Sequence, residues 1–365
     1  MHRASGALWR DSVILTKRAT RAAGRISDSC ALAKPVPVSE NRAAVLIDGP
    51  SQALVRPISV ATCDLDALLI RGEAPMFGGD FPFGHESVGV VVEVGDGVTA
   101  FKAGDRVVPS FQISCGSCDR CRRGLTGNCE RVRGTAMYGI GARGGNFGGA
   151  LSDLMKIPYA DAMLVAMPDG VAAADVASAA DNIPDAWRTV APQLRDNPGA
   201  PVLIVGGGSI GLYAIQIALA CGASQVDYVD DNPGRLKLAS ELGASVREGP
   251  PPRKLGPYPI TVAACATQAG LLCAIRSTAP GGICTNCGIH PGETTPMPLF
   301  DMYITGMTFV TGRGHPRMVI PQVLELARSG KIQPAKVTSK VVGWDDAIPA
   351  LLDAPTKLVI ARERS

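Results

Sequence analysis

The sequence predicts an α/β protein of two domains, a glycine-rich β domain followed by a doubly wound parallel sheet. Its 365 residues exceed the usual size of a single hydrophobic core, so two cores are the better expectation. Up to about residue 175, short apolar runs are cut by glycine and proline, a pattern typical of β-strands. From Pro201 onward, apolar runs alternate with helical stretches, which indicates a parallel sheet.

The first domain is predicted to consist of short strands. Apolar runs over residues 43–47, 53–60 and 88–94 indicate three of them. Because glycine and proline recur between these runs, we expect a partly barrel-like sheet.

The second domain opens with one βαβ unit. Its predicted parts are a strand over 202–205, a glycine-rich turn over 206–211, a helix over 212–220 and a strand over 226–229. The later predicted elements are a helix over 235–242, strands over 260–264, 282–287 and 308–310, a helix over 319–328 and a closing strand over 358–360. This alternation predicts a doubly wound sheet. Whether the closing strand rejoins the first domain stays open.

Composition argues against two classes of partner. Hydrophobic residues make up 46% of the chain and charged residues 19%, and no apolar run approaches the roughly 20 residues of a membrane span. The formal net charge is +3 and is not gathered into a basic block, unlike the footprint of a nucleic-acid-binding protein. We therefore expect a soluble protein with neither a membrane nor a nucleic-acid partner.

The 11 cysteines are spaced as metal ligands rather than as a disulfide framework. Cys115, Cys118, Cys121 and Cys129 have the form CxxCxxCx7C. Four thiolates in one loop close a tetrahedral shell around zinc and leave no position for substrate, which predicts a structural site. The alternative is four free surface cysteines. Metal-ligand spacing favours a reducing compartment, so the cytoplasm is the expected location.

The N-terminal segment over 1–42 has no predicted structure. Basic residues outnumber acidic ones there, a bias shared with organelle transit peptides. An ordinary N-terminal extension is the alternative, since the segment has no secretory apolar core.

The turn that opens the second domain predicts a dinucleotide site. Gly206, Gly208 and Gly211 form GxGxxG, in which glycines let the backbone approach a pyrophosphate at a helix N-terminus. Asp230 ends the next predicted strand, nineteen residues beyond Gly211. There it is placed to accept hydrogen bonds from an adenosine ribose and to repel a 2′-phosphate, which indicates NAD. The alternative is a glycine-rich turn beside a solvated aspartate.

A second set of metal-binding side chains is more dispersed. Cys63 and His85 are both good zinc ligands, and a site with three protein ligands keeps a fourth position for water or substrate. The pair is weak evidence by itself, because a buried cysteine beside a loop histidine also serves structure.

Five segments, in this order, resemble the zinc-containing medium-chain alcohol dehydrogenases. They are Thr62-Cys63-Asp64-Leu65-Asp66, Gly84-His85-Glu86-Ser87-Val88-Gly89, Gly104-Asp105-Arg106-Val107, the four-cysteine segment and residues 205–211. The resemblance covers nearly all of the chain after residue 43 and implies a catalytic zinc at Cys63 and His85. It also implies a GroES-like catalytic domain with an inserted Rossmann domain. The implied boundaries are 1–42 for the extension, 43–182 for the catalytic domain with its zinc lobe, 183–315 for the Rossmann NAD-binding domain and 316–365 for a C-terminal segment that completes the catalytic domain.

The resemblance further implies roles for single residues. The family's remaining zinc ligand, a Cys or in some branches an Asp or Glu, lies where this chain has Asp181. Glu86 corresponds to the acid that lies behind the metal or exchanges onto it, and Asp66 to the acid that orients the histidine ligand. Arg235 matches a basic position near the adenosine ribose, and Lys357 matches one near the pyrophosphate.

Three positions depart from the family's pattern. Its proton relay usually begins with a Ser or Thr two residues after the cysteine ligand and in some members ends with a histidine, whereas this chain has Leu65 and Leu68. Where the family has a small hydroxyl residue against the nicotinamide, this chain has Asp185. The proton path therefore stays open among Asp64, Glu86, Asp185 and bound water.

Together these features predict a zinc-dependent oxidoreductase that transfers a hydride between an alcohol and NAD, with zinc polarising the substrate oxygen. One catalytic zinc, one structural zinc and NAD are the expected cofactors. A small alcohol or carbonyl compound is the expected substrate, and a homo-oligomer, dimer or tetramer, is the expected assembly. The alternatives are a zinc reductase or aldehyde-dismutating relative, and a catalytically silent NAD-binding protein.

Overall fold

A computed structural model describes residues 14–15, 47–70, 81–290, 292–353 and 355–362. The described residues form two compact units. The first takes the chain up to Asp181, His315–Pro321 and the part from Lys340 on, and the second takes Asn182–Gly314 and Gln322–Ser339. Within the described residues, no helix is long and apolar enough to cross a membrane.

The first unit is built on a seven-stranded, mostly antiparallel sheet. The strands of this unit are β1 (Ile14–Leu15), β2 (Ala53–Ala61), β3 (Phe81–Pro82), β4 (Glu86–Val94), β5 (Arg106–Pro109), β6 (Met155–Ile157), β7 (Leu164–Ala166), β14 (Lys340–Gly343) and β15 (Leu358–Ala361). The sheet order is β14-β15-β2-β4-β5-β7 with β6 beside β2, while β1 and β3 form a separate pair. Since β15 pairs antiparallel with β2, the closing strand does rejoin the first domain.

β-Branched residues explain why these segments are strands. Val55, Val60, Val91, Val107 and Ile360 pack into one apolar core, where branched side chains fit a pleated surface well. The helices of this unit are short: α1 (Asp64–Ile70), α2 (Asp119–Arg122), α3 (Ala160–Met163) and α10 (Ala347–Leu352). The β-rich first domain predicted from the sequence is thus confirmed.

The second unit contains a six-stranded parallel sheet. Its strands are β8 (Val202–Val205), β9 (Val226–Asp230), β10 (Ser245–Glu248), β11 (Tyr258–Ala263), β12 (Thr278–Asn286) and β13 (Thr308–Thr311). Its helices are α4 (Asn182–Asp196), α5 (Ser209–Ala220), α6 (Pro233–Glu241), α7 (Gln268–Arg276), α8 (Leu299–Thr305) and α9 (Ile320–Arg328). The order β10-β9-β8-β11-β12-β13 reverses direction beside β8, which is where doubly wound sheets bind ligands at their carboxyl ends. The predicted doubly wound sheet is confirmed.

Two sequence-based expectations differ from this arrangement or lie outside it. Residues 43–46 of the strand predicted over 43–47, and the N-terminal extension apart from residues 14–15, fall outside the described residues, while Ile47 is described and lies in no strand. Residues 322–339, which the sequence analysis assigned to the catalytic domain, belong to the second unit. The backbone N–H of Gln333 donates to Gln216 Oε1 on α5 at 2.7 Å, and this bond ties the segment to the parallel sheet's helices.

Candidate functional site

Cys63 lies between the end of β2 and the start of α1. Its backbone N–H donates a hydrogen bond to Asp66 Oδ2 at 2.8 Å. Asp66 is the third residue of α1, and a side chain at that position commonly accepts a hydrogen bond from the backbone N–H of the residue that precedes the helix. This local capping contact fixes both the thiol and the carboxylate at the first turn of α1. Both residues are buried.

His85 lies between Gly84 and Glu86, the first residue of β4. Gly84 has φ +90, and a side chain there would approach the Leu151 nitrogen at 3.0 Å, so the turn requires glycine. The imidazole Nδ1 lies 3.5 Å from Asp66 Oδ1, and Nε2 lies 3.4 Å from Asp181 Oδ2. The histidine therefore has one nitrogen facing each carboxylate.

The predicted ligands gather around His85 as two overlapping groups. Cys63, Asp66 and His85 form one, and His85, Glu86 and Asp181 form the other, with ligand atoms within 4.8 Å of one another in each. His85 Nδ1 and Asp66 Oδ1 are buried and make no hydrogen bond. Zinc binds thiolate sulfur, imidazole nitrogen and carboxylate oxygen, so the set of donors offered by Cys63, His85 and Asp181 fits a zinc ion.

The electrostatics of the protein alone agree with that fit. Burial raises the pKa of the Cys63 thiol to about 12, and burial also raises the pKa of the Asp66 carboxyl. Burial would lower the pKa of His85, but Asp66, Cys63 and Asp181 together raise it well above its usual value. A bound divalent cation would have the opposite effect on Cys63 and lower its pKa, because a thiol that coordinates such an ion is deprotonated.

Glu86 forms an ion pair with Lys357. Both side chains are fully buried, and Lys357 Nζ lies 3.1 Å from Glu86 Oε2 while it also donates to the carbonyl of Thr62. Burial raises the pKa of Glu86 to about 7, and the Lys357 ammonium opposes that rise. The resemblance placed Lys357 near a pyrophosphate, but the structure buries it in the first unit against Glu86.

Phe111 is a site residue that the sequence analysis missed. Its ring centre lies 5.6 Å from that of His85, and it packs with Met137 and Ile140 and with the partly buried Leu69. Leu65 and Leu68, the two relay positions, lie on the same helix as Leu69. Phe111 belongs to no motif in the segment before Cys115, so nothing in the sequence indicates that its ring lies beside His85.

Asp185, the third departure, lies in the first turn of α4 in the second unit. Its Oδ1 pairs with Nε of Arg188, three residues further along the same helix. The carboxylate is therefore held by a cation within its own helix.

The four cysteines of the predicted structural site form a compact, buried cluster. Cys118 Sγ lies 4.0 Å from Cys129 Sγ, close to the separation of about 3.8 Å that tetrahedral geometry with zinc–sulfur bonds gives. The backbone N–H groups of Cys115, Cys121 and Glu130 point at sulfur atoms at 3.4 to 3.5 Å. The described cysteines form no disulfide. The cluster fits zinc in a closed shell.

His315 supports this lobe from a distant part of the chain. Its Nδ1 accepts a hydrogen bond from the N–H of Gly127 at 3.1 Å.

The glycine turn leads from β8 into α5. Gly206 has φ +63, and a side chain there would approach Cys265 Cβ at 2.9 Å. A side chain at Gly211 would lie 2.6 Å from the Gly206 carbonyl oxygen. Gly208 precedes the first residue of α5, as expected for a turn that presents N–H groups to a phosphate. The backbone here fits a dinucleotide.

Asp230 ends β9, as predicted, but its carboxylate is already engaged. It accepts from Arg235, Tyr228 and the backbone N–H of Asn232. Burial would raise its pKa, and these hydrogen bonds outweigh burial and lower it.

Comparison with known proteins decides the family. The model of the alcohol dehydrogenase GroES-like domain matches residues 49–169. The chain is 31% identical over 333 residues to an alcohol dehydrogenase of Geobacillus stearothermophilus, covering 87% of this chain and 93% of that one. The chain belongs to the zinc-dependent medium-chain alcohol dehydrogenases.

Two further relatives support this family assignment. A probable zinc-binding alcohol dehydrogenase of Mycobacterium tuberculosis is 28% identical over 309 residues, covering 82% of this chain and 78% of that one. The solved alcohol dehydrogenase of Thermus sp. ATN1 matches with a TM-score of 0.81 at 27% identity, covering 96% of this chain and 99% of that one. These relatives support a general oxidoreductase role for the chain.

Proposed function

We propose that the chain transfers a hydride between a small alcohol or carbonyl substrate and NAD, with one zinc at the His85 cluster and a second at the four cysteines. The observation that carries the proposal is the convergence of Cys63, Asp181, Asp66 and Glu86 on one buried histidine. A cluster of this composition inside an alcohol dehydrogenase fold supports catalysis more strongly than a silent role.

Cys63, His85 and Asp181 would hold the catalytic zinc, which supplies Lewis acidity to the substrate oxygen while NAD accepts the hydride. Asp66 orients His85, because a proton on Nδ1 faces its carboxylate and leaves the lone pair on Nε2 for the metal. Phe111 packs against the imidazole of His85, with ring centres 5.6 Å apart.

With leucine at both relay positions, the alcohol proton needs another acceptor. Glu86 and Asp185 are the preferred candidates, ahead of Asp64. Glu86 is the better placed, because it adjoins His85 in sequence and lies in the same group as Asp181. Its contact with Lys357 gives the carboxylate a positive partner in the ionised form.

The function is tested by following NADH formation over a panel of primary and secondary alcohols, and NADH consumption over the matching aldehydes and ketones. We expect turnover that a strong chelator abolishes and added zinc restores. Zinc-loaded protein that oxidises or reduces nothing on the panel, yet binds NADH, would favour the silent NAD-binding alternative.

Asp66→Asn is expected to lower turnover or zinc affinity by about 10- to 100-fold, the usual cost of losing an outer carboxylate partner. An amide oxygen still accepts from the Cys63 N–H, so the helix cap is kept. Turnover and zinc content are measured together, with the exposed Asp96→Asn as the charge-matched control. Full activity with full zinc in Asp66→Asn would show that His85 needs no such orientation.

The predicted homo-oligomer has a candidate surface in the second unit. Leu299, Phe300, Tyr303 and Ile304 of α8 are each more than half exposed, and β13 ends the order of the parallel sheet. An apolar helix face near an edge strand suits pairing with a second copy of the same chain.

Phe300→Glu is therefore expected to shift the protein to a smaller species by light scattering after size exclusion. The matched control is Val246→Glu, which places the same charge on the exposed strand β10 at the opposite edge of the sheet. An unmutated chain that already runs as a monomer would refute the homo-oligomer.

A further inference from the structure

Lys357 joins the two chain segments that carry Cys63 and His85. Its Nζ donates a hydrogen bond to the carbonyl oxygen of Thr62, which directly precedes Cys63. The same Nζ lies 3.1 Å from Oε2 of Glu86, which directly follows His85. The ammonium group therefore contacts a chain neighbour of each of these two proposed zinc ligands.

This contact lies where the pairing of β2 with β4 ends. Ala61 and Glu86 are the last residue pair of that antiparallel ladder. One residue further, the Cys63 N–H donates to Asp66 on α1, so the backbone hydrogen bonds of the ladder no longer hold the two ligand-bearing segments together. The side chain of Lys357 bridges them instead.

The backbone of β15 fixes Lys357 in turn. The Thr62 N–H donates to the Leu358 carbonyl oxygen at 2.9 Å, and the Leu358 N–H donates to the Thr62 hydroxyl at 3.2 Å. These bonds continue the antiparallel pairing of β15 with β2, in which Ala61 lies opposite Val359. The backbone of Lys357 is therefore held beside Thr62, and its side chain, which is fully buried, has few conformations open to it.

The ion pair of Lys357 with Glu86 is better explained by geometry than by stability. Both side chains are fully buried. Taking two charges out of water costs free energy that their attraction often only offsets, so apolar side chains of similar size commonly stabilise a core as well or better. What the pair does provide is a defined distance, because an ammonium and a carboxylate hold each other at hydrogen-bond length.

We infer that Lys357 is a positioning residue that sets the placement of Cys63 relative to His85 before the metal binds. The inference rests on the proposed catalytic zinc. Ligands that are already in place lose less conformational freedom when the ion binds, so the bridge raises the affinity for zinc. Lys357 does not coordinate the ion itself, because an ammonium group has no lone pair to offer.

The dissociation constant of zinc at each of the two sites, measured on the full chain by competition with a chromophoric chelator, tests this without depending on turnover. Cys63→Ser and Cys118→Ser, each of which lacks one site, assign the two constants. Lys357→Met alone leaves the Glu86 carboxylate buried without this counter-ion and can fail to fold for that reason. The decisive variant therefore combines Lys357→Met with Glu86→Gln, which removes both charges and the bridge. We expect it to bind zinc at the His85 cluster about 10- to 100-fold more weakly, with unchanged affinity at the four cysteines.

Two single variants serve as controls. Glu86→Gln is the reference for the lost carboxylate, because its amide oxygen still accepts a hydrogen bond from Lys357. Lys340→Met removes an exposed lysine of the adjoining strand β14, whose partner is Asp353, and should leave both constants unchanged.

A double variant that binds zinc at the His85 cluster as tightly as Glu86→Gln does would overturn the positioning role. Equal weakening at both zinc sites would overturn it too, because a general loss of stability would then explain the result. An unmutated chain that binds zinc only at the four cysteines would instead show that the proposed catalytic zinc is wrong, and the role of Lys357 with it.

Discussion

Replacing Cys63 with serine is expected to lower turnover by more than about 100-fold, since losing even an outer partner of a metal ligand costs 10- to 100-fold. Cys63 supplies the sulfur of the proposed catalytic site, and this sulfur lies within 4.8 Å of ligand atoms of Asp66 and His85. The backbone N–H that caps α1 stays in the variant, so the fold should persist. Initial rates with NAD and the best alcohol are the measurement.

The control for this prediction is Cys221→Ser, a partly exposed cysteine at the end of α5. It should keep full activity and an unchanged melting temperature. If Cys63→Ser kept comparable turnover, the catalytic zinc would have to lie elsewhere in the chain.

Replacing Cys118 with serine should act mainly on stability. Cys118 Sγ receives backbone N–H groups from Cys121 and Glu130 and touches Cys129, so the loop is organised around this sulfur. Structural zinc contributes its binding free energy to folding, and losing part of it is expected to lower the melting temperature by about 10 °C or more. Differential scanning calorimetry of the zinc-loaded protein measures the shift.

The same Cys221→Ser variant serves as its control, because it changes a cysteine outside both clusters. Soluble Cys118→Ser protein should retain activity below its lowered melting temperature. A melting temperature equal to that of the unmutated protein would mean that the four cysteines hold no stabilising metal.

Elements with strong local signals were predictable from the sequence. The buried run of β8 and the glycines that follow it specify a strand and a tight turn by their own chemistry, and β8 lies where it was predicted. By contrast, β10 was missed because all four of its residues are exposed, so an edge strand of this kind carries no apolar pattern.

In the candidate site, contacts between neighbouring residues are also easier to predict than contacts between residues far apart in sequence. The capping contact between Cys63 and Asp66 spans three residues, whereas Glu86 and Lys357 are separated by 271 residues and Gly127 and His315 by 188. Contacts between residues so far apart in sequence depend on the tertiary fold, so no local sequence pattern predicts them. The saturation of Asp230 by Arg235 also needed the structure, since the sequence gives the spacing of the two residues and not the rotamer that joins them.

The number of zinc ions per chain, measured by plasma mass spectrometry on purified, undialysed protein, tests the assignment of two zinc sites. We predict about two zinc ions in the unmutated protein and about one in each of Cys63→Ser and Cys118→Ser, because the two sites use separate ligands. In the same preparations, NADH formation should be lost in Cys63→Ser and retained in Cys118→Ser. Alcohol turnover by protein that contains no zinc would show that the proposed catalytic zinc is not needed.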